Sequence, residues 1–416
     1  AVNNIDSKVP SRIAGSALEA DTIKIDTANA VKVKDATGTG GGALIAGIGI
    51  GVDASAFNDS VSTVIDNSSV KAKDTLAVTT KIQREIDSTV AGVGVGAIVG
   101  LAVNVAAVTV NDGIYELGYA KDADGNPTTF SHADAVSKAI DIVNDNTKRD
   151  LSENFYGMTD AEKKQMQEKV KADVDKNKTV SGVGVHTYVQ NNSTLEAEKG
   201  ALTVNNTELN DAELNGGSGS FGVAAVNVAD TVYHLNQLND ISVQDSTVKG
   251  ASVTLAAHQG NVTENKEDAI HLQTVQAGLG IAGIGVGYAG LTTKGNTGIT
   301  VDHSTMTATN GDLTVKSSDA AQSKVNMIGV SAAGVAIPVS VAHNTNEANN
   351  FVTVKGDSTL QAVTTKTQEV TGSDGKKTTE KASATITLQT ERTGRVAAKT
   401  TGVGVGGGAV VVNTAK

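Results

Sequence analysis

The chain has 416 residues, a formal net charge of −11, and neither cysteine nor tryptophan. This excess of acid argues against a nucleic-acid partner, because no basic stripe is present to neutralise phosphates. Aromatic residues make up 3% of the chain, so the interior must be filled by Val, Ala, Ile and Leu, and a thick core of rings is excluded.

The first predicted element is a serine-led signature that recurs in one register. It has the form Ser-Thr-Leu/Val-x-Ala with small variations, and it begins at Ser16, Ser68, Ser193, Ser246, Ser304 and Ser358. The spacings are 52, 125, 53, 58 and 54 residues, so one interval holds about 70 extra residues. A fixed period of this kind predicts stacked units that share one continuous core, not separate globular domains.

Each signature is followed by an alternating segment and then by a glycine-rich tract. Leu76 and Val78, like Leu202 and Val204, alternate with polar residues, which predicts half-buried strands. In the tract 92–96 glycine alternates with valine. We expect the valine face to enter the core, and the glycine face to admit close approach of another sheet or backbone.

These elements predict an all-β fold: a right-handed parallel β-helix, or β-solenoid, built from repeats of about 53 residues. At about 20 residues per coil, one repeat would span two to three coils. An antiparallel β stack remains the alternative, because the sequence does not fix strand direction. The uncharged stretch 89–111 is long enough for a transmembrane helix, but its glycine-rich pattern recurs in every repeat, which favours buried strands.

Residues 113–179 interrupt the repeats and have the only helical pattern. Ala133, Val136 and Ile140 recur at helical spacing, and a second apolar stripe follows after Gly157. We therefore predict repeats over 1–112, an inserted αα-hairpin over 113–179, and repeats again over 180–416.

A second insertion is predicted inside the later repeats, at 365–385. It contains the pair Asp374-Gly375 between polar β-rich runs. That pair is typical of a tight turn, so we predict a β-hairpin there.

One short segment suggests a metal site. Asp122, Asp124 and Asn126 resemble the start of a calcium loop, and they are our candidate ligands. The glycine at 125 comes too early for an EF-hand, and Pro127 follows it, so an Asp-Gly hairpin turn explains the segment as well. The seven histidines are scattered without metal-ligand spacing.

No segment gathers the groups that an enzyme needs. Cleavage of an acidic polysaccharide would require clustered carboxylates, a nearby base and an aromatic-lined groove. The glycine tracts also lack the lysine of a phosphate-binding loop. We predict no catalytic residue, no cofactor and no enzymatic activity.

The serine-led signature, the Gly-Val-Gly-Val-Gly tract and an Ala-Val-Asn element at 225–227 together resemble the repeats of large secreted adhesins of diderm bacteria. The similarity is to the filamentous-haemagglutinin and leukotoxin-like group, exported by type V routes, and it covers nearly the whole chain except 113–179. It implies a β-solenoid stalk at the cell surface that serves adhesion, biofilm formation or host contact. The shared motifs are structural, so no functional residue is carried over.

From this resemblance we expect an extracellular location and a host receptor, bacterial receptor or glycan as partner. The first residues lack a signal-peptide pattern, and we expect the export signals to lie outside this sequence. The uncharged glycine tracts suggest lateral self-association into filaments, if their glycine faces are exposed. We expect no segment that spans a membrane. Two alternatives stay open: the passenger of a leukotoxin-like cytotoxin, and a polysaccharide-acting β-helix enzyme.

Overall fold

The computed structural model describes residues 2–111, 120–121, 127–128, 183–263, 268–371 and 377–416. Within these residues it contains 24 strands and no helix. The strands are β1 (Val2–Ala14), β2 (Ala17–Ala43), β3 (Ala46–Asp66), β4 (Ser69–Gly96), β5 (Val99–Val110), β6 (Ala120–Lys121), β7 (Pro127–Thr128), β8 (Gly184–Gln190), β9 (Thr194–Ala197), β10 (Ala201–Gln244), β11 (Thr247–Gly250), β12 (Ser252–Gly260), β13 (Ile270–Asp302), β14 (Thr305–Ala308), β15 (Leu313–Asp319), β16 (Ser323–Asn346), β17 (Asn349–Lys355), β18 (Thr359–Ala362), β19 (Thr367–Thr371), β20 (Lys377–Lys381), β21 (Ile386–Arg392), β22 (Val396–Val405), β23 (Gly408–Ala409) and β24 (Val412–Ala415).

Twenty of these strands form one sheet in which each repeat pairs with the next. The long pairings β2–β4, β4–β10, β10–β13 and β13–β16 are all parallel. The described residues are therefore all-β with parallel strands, as the sequence predicts, and the antiparallel alternative is wrong for the main sheet.

One repeat makes one coil, which corrects the prediction of two to three coils per repeat. Ala17 pairs with Ser69, 52 residues later, and Ile270 pairs with Ser323, 53 residues later. The physical reason is strand length. After the corner that holds the signature, the alternation of buried and partly exposed residues continues without a turn from Leu76 to the glycine tract, so the chain does not bend back after a short strand.

Each coil has three parts, which β10 and its neighbours illustrate. An outgoing strand covers 201–221, an apex lies at 222–223, and a return strand covers 224–244. The corner strand β11 then closes the coil. The two long strands lie face to face: Thr27 of the first outgoing strand bonds Thr63 of its return strand at 2.8 Å.

The coil is much wider than it is tall. Twenty residue steps along the outgoing strand span about 66 Å, whereas six stacked coils rise only about 24 Å. The described chain is therefore a flat, two-layer blade whose long dimension follows the strands.

The interior changes in character along the blade. At the corner end, aliphatic residues from the corner, outgoing and return strands form one cluster, exemplified by Leu195, Leu202 and Ile241. A second cluster in the middle contains the rings of Phe57 and Tyr233. Toward the apex the filling becomes glycine, serine and asparagine, and the two layers come closest there.

The signature serine forms a ladder that explains its recurrence. The backbone N–H of Ser246 donates to Oγ of Ser304 at 3.1 Å, and that hydroxyl donates to the carbonyl of Asp302 at 2.7 Å. The same pattern joins Ser16 to Ser68. The residue before each serine turns the chain with a positive φ, and these residues include Gly15, Asn67, Asp245, His303 and Asp357. Glycine, asparagine and aspartate tolerate that conformation best.

The glycine tracts face in the opposite direction from the prediction. Gly92 and Gly94 point into the interior, and a Cβ atom at Gly94 would overlap the carbonyl oxygen of Leu101 on the return strand. Val93 and Val95 point outward and remain partly exposed. The glycine face does admit another layer closely, as expected, but that layer is the chain's own return strand.

The predicted insertions are described only in part. At the second site, β19 pairs antiparallel with β20, in the region where the sequence predicts a hairpin. The predicted αα-hairpin over 113–179 lies outside the described residues, apart from the short antiparallel pair β6–β7. The described residues contain no helix that is long and apolar enough to cross a membrane.

Candidate functional site

A fully buried group of charges lies inside the blade, around Arg84. Its Nε donates to Asp59 at 2.9 Å, and its Nη1 donates to Glu208 at 2.8 Å and to Asn210 at 3.1 Å. Arg84, Asp59 and Glu208 have side chains that are 0% exposed. Because these residues belong to β4, β3 and β10, the group joins three consecutive coils.

The environment keeps this arginine charged. Burial alone would lower the pKa of Arg84, but the charges of Glu208 and Asp59 outweigh burial and raise that pKa. No polymer or small molecule can reach side chains that have no exposed surface. This cluster of one arginine and two carboxylates therefore has a structural role. We call Arg84, Asp59 and Glu208 the ionic pin.

Sequence reasoning missed the ionic pin, although a signal was present. Arg84 continues the inward series that begins at Leu76 and Val78, and Glu208 continues the one that begins at Leu202. Strand parity alone therefore places both charges inside, because side chains two apart share a face.

An accessible groove of about 410 Å³ lies on the outer face of the return strands near the corner. Tyr188 and Phe351 contribute rings, and Asp240, Asn296 and Lys355 contribute polar groups. The sheet register separates the two rings by about three coils, or about 14 Å. The groove therefore offers two apolar ring faces with hydrogen-bonding groups between them.

Both rings are held in place by neighbours. The Phe351 ring lies over Gly298, where a Cβ would collide with it. The Tyr188 ring stacks on His186, with centroids 5.7 Å apart and planes 11° from parallel. Burial and the Asp240 carboxylate raise the pKa of Tyr188, so its hydroxyl stays neutral and can donate.

His186 anchors the tyrosine side of the groove. Its Nδ1 contacts the Asp240 carboxylate, and its Nε2 lies 2.6 Å from the carbonyl oxygen of Val183. Because both ring nitrogens face oxygen acceptors, the doubly protonated ring fits best. Burial lowers the pKa of His186, but the hydrogen bond and charge of Asp240 outweigh burial, and the pKa is raised.

At the apex, four successive coils carry a further group of outward apolar side chains. Ile45, Ile98, Val223 and Ile281 stack in successive coils at the turn between the two layers. They are 58%, 39%, 47% and 66% exposed. We call this column, with the outward aliphatic and aromatic side chains beside it, the apex ridge.

Metal chemistry finds no support in the part of the chain that the structure describes. No group of three or more His, Cys, Asp or Glu residues there could hold an ion. The candidate calcium ligands Asp122, Asp124 and Asn126 lie outside the described residues.

Comparison with known proteins gives no match to a family model, to a curated protein or to a solved structure. The resemblance to secreted adhesins therefore rests on the sequence motifs quoted above.

Proposed function

We propose that this chain is a structural repeat segment of a secreted bacterial surface filament or adhesin, and that it acts by attachment without turnover. One observation carries this: each repeat pairs in parallel with the next over nearly its whole length. A stack of this kind propagates the same outer faces from coil to coil. We take the coils to be right-handed, the hand that parallel crossovers adopt.

The coil geometry provides a large surface area but little length along the stack. Each coil of about 53 residues adds only about 4.8 Å along the stack. A stalk built this way gains length slowly, but every coil adds a strip about 66 Å wide on each layer. We therefore infer that broad, repeated faces are what the segment contributes to attachment at the cell surface.

The groove at Tyr188 and Phe351 is our candidate contact for a glycan. Aromatic faces stack on the apolar faces of sugar rings, and carboxylate, amide and ammonium groups bond hydroxyls. In the groove, Asp240, Asn296 and Lys355 supply a carboxylate, an amide and an ammonium group. A bound saccharide of two or three units would fill about 410 Å³.

The test is binding to a glycan array and to host or bacterial cells, for the wild type and for Tyr188→Ala and Phe351→Ala. Tyr288→Ala is the matched control, since that ring also lies on an outer return face but outside the groove. We expect both groove variants to weaken binding at least about 10-fold, and the control to bind normally. If both groove variants bind as tightly as the wild type, the glycan contact does not lie in this groove. If the chain releases reducing sugar from polysaccharides, it is an enzyme and the attachment proposal is wrong.

A further inference from the structure

Most of the exposed large hydrophobic residues in the described part of the chain lie on the apex ridge. Beside the column Ile45–Ile98–Val223–Ile281, a second outward column holds Val95, Phe221 and Leu279, which pair directly. These three are 40 to 47% exposed. Further outward aliphatics on the ridge are Leu44, Ile50, Val93, Val335, Val403, Val405 and Val410.

The glycine tracts create this ridge. Because glycine occupies the inward positions, the two layers meet backbone to backbone, and no interior space remains for large side chains. Valine, leucine and phenylalanine at the alternate positions must then point outward. A glycine tract in this fold therefore produces an exposed apolar edge.

The ridge also lacks charge, although the chain carries a formal net charge of −11. No Asp, Glu, Lys or Arg occurs in the apex segments 38–51, 89–111, 215–229, 273–291, 326–342 and 400–412. Elsewhere on the surface, two copies of the chain would repel each other. At the ridge they can meet without placing like charges together.

We propose that the apex ridge is a self-association surface, on which a second copy of this chain docks laterally. The ridge repeats every coil, at about 4.8 Å. Only a partner with the same period can match it side chain for side chain along its length, and a second copy has that period by construction. An isologous contact of this kind is self-complementary about a two-fold axis.

Small residues within the ridge provide the gaps that interdigitation needs. The apex column continues from Ile281 to Gly334, and the second column continues from Leu279 to Ala332. Projecting side chains of one copy can enter such gaps of the other, as in packed β-sheet interfaces. Lateral pairing goes beyond the proposed function, because a segment that binds a glycan needs no second copy.

The area predicts a weak contact for the described coils. A ridge about 24 Å long and about 20 Å wide offers about 500 Å² per copy. Interfaces of this size are weak and transient. A membrane is the less suitable partner, because the chain has no tryptophan and is acidic overall.

The experiment is sedimentation velocity from about 10 μM to about 1 mM, with the far-ultraviolet circular dichroism spectrum as a check on folding. The test variant combines Ile98→Thr, Val223→Thr and Ile281→Thr, which keep β-branched side chains. The matched control combines Val363→Thr, Ile386→Thr and Leu388→Thr, which alter exposed aliphatics on the last coil of the stack, away from the ridge. We expect concentration-dependent association of the wild type and the control, and a Kd at least about 10-fold higher for the ridge variant.

A wild type that stays monomeric up to about 1 mM would overturn lateral pairing, and so would a ridge variant that associates normally. Loss of association in the control alone would point to end-to-end stacking instead. Neutral phosphatidylcholine vesicles that bind a monomeric wild type would assign the ridge to lipid.

Cysteine cross-linking keeps the test independent of the triple variant's stability. The chain has no native cysteine, so Val223→Cys introduces the only thiol. We expect Val223→Cys to form disulfide-linked dimers under mild oxidation at least about 10-fold faster than Val363→Cys at the same concentration. Equal rates would contradict contact at the ridge.

Discussion

Replacement of Arg84 by methionine should be the most destabilising single change in the ionic pin. The change removes the donors at 2.9 Å from Asp59 and at 2.8 Å from Glu208, and leaves two carboxylates without exposed surface. Breaking a buried ion pair by removing one partner costs about 3 to 5 kcal/mol. Because this arginine serves two carboxylates, we expect the upper part of that range.

A triple variant separates the loss of charge balance from the loss of packing. Arg84→Met combined with Asp59→Leu and Glu208→Met replaces all three members by apolar side chains of similar volume. Such replacements of buried ion pairs are often neutral or stabilising. We therefore expect the triple variant to recover to within about 1 kcal/mol of the wild type.

The assay is urea unfolding followed by circular dichroism, together with hydrogen exchange of the amides in β3, β4 and β10. Exchange is needed because a stack of coils can open locally. Arg12→Met is the matched control: Arg12 also bonds an aspartate at 2.9 Å, but its side chain is 65% exposed. The control should cost less than about 1 kcal/mol. A cost below about 1 kcal/mol for Arg84→Met, or a triple variant as unstable as the single one, would refute the reasoning.

Three further predictions concern the apex, the corner and the groove. Gly94→Ala should destabilise the chain by about 3 kcal/mol or more, because its Cβ would overlap the Leu101 carbonyl and force the layers apart. Ser304→Ala should cost about 1 to 3 kcal/mol, because a buried N–H loses its acceptor. His186→Gln should flatten the pH dependence of stability. The pKa of His186 is raised in the folded chain, so its contribution is fully present below its unfolded pKa of about 6.5 and is lost as pH rises through the folded pKa.

The controls for these predictions follow from the same alternation of faces. Gly219 points outward, and a Cβ there would meet only the Val93 side chain, at ordinary van der Waals distance, so Gly219→Ala should be neutral within about 1 kcal/mol. Thr305 is exposed beside Ser304, so Thr305→Ala should change the urea midpoint little. For His186, urea midpoints at pH 5.5 and pH 8.5 decide the matter. The prediction is wrong if the stability advantage of the wild type over His186→Gln is larger at pH 8.5 than at pH 5.5.

Sequence periodicity by itself determined the repeat, the all-β class and the presence of strands after each signature. The physical reason is that these depend on local alternation and on turn residues, which a chain displays residue by residue. The burial of Arg84 and Glu208 could also be predicted from the sequence, because both residues continue the inward-facing positions of their strands. The hairpin predicted around Asp374-Gly375 likewise comes from a local turn pattern.

Tertiary structure alone decided how many residues make a coil and which way the glycine tracts face. A tract such as 92–96 has two faces, and its sequence favours valine in the core. The return strand reverses that choice, since two layers at backbone distance leave inward room for glycine only. The groove, too, exists only because the register brings Tyr188 and Phe351, 163 positions apart in the sequence, to one outer face. Distant strands settle these features, and their pairing is not encoded in any single window of sequence.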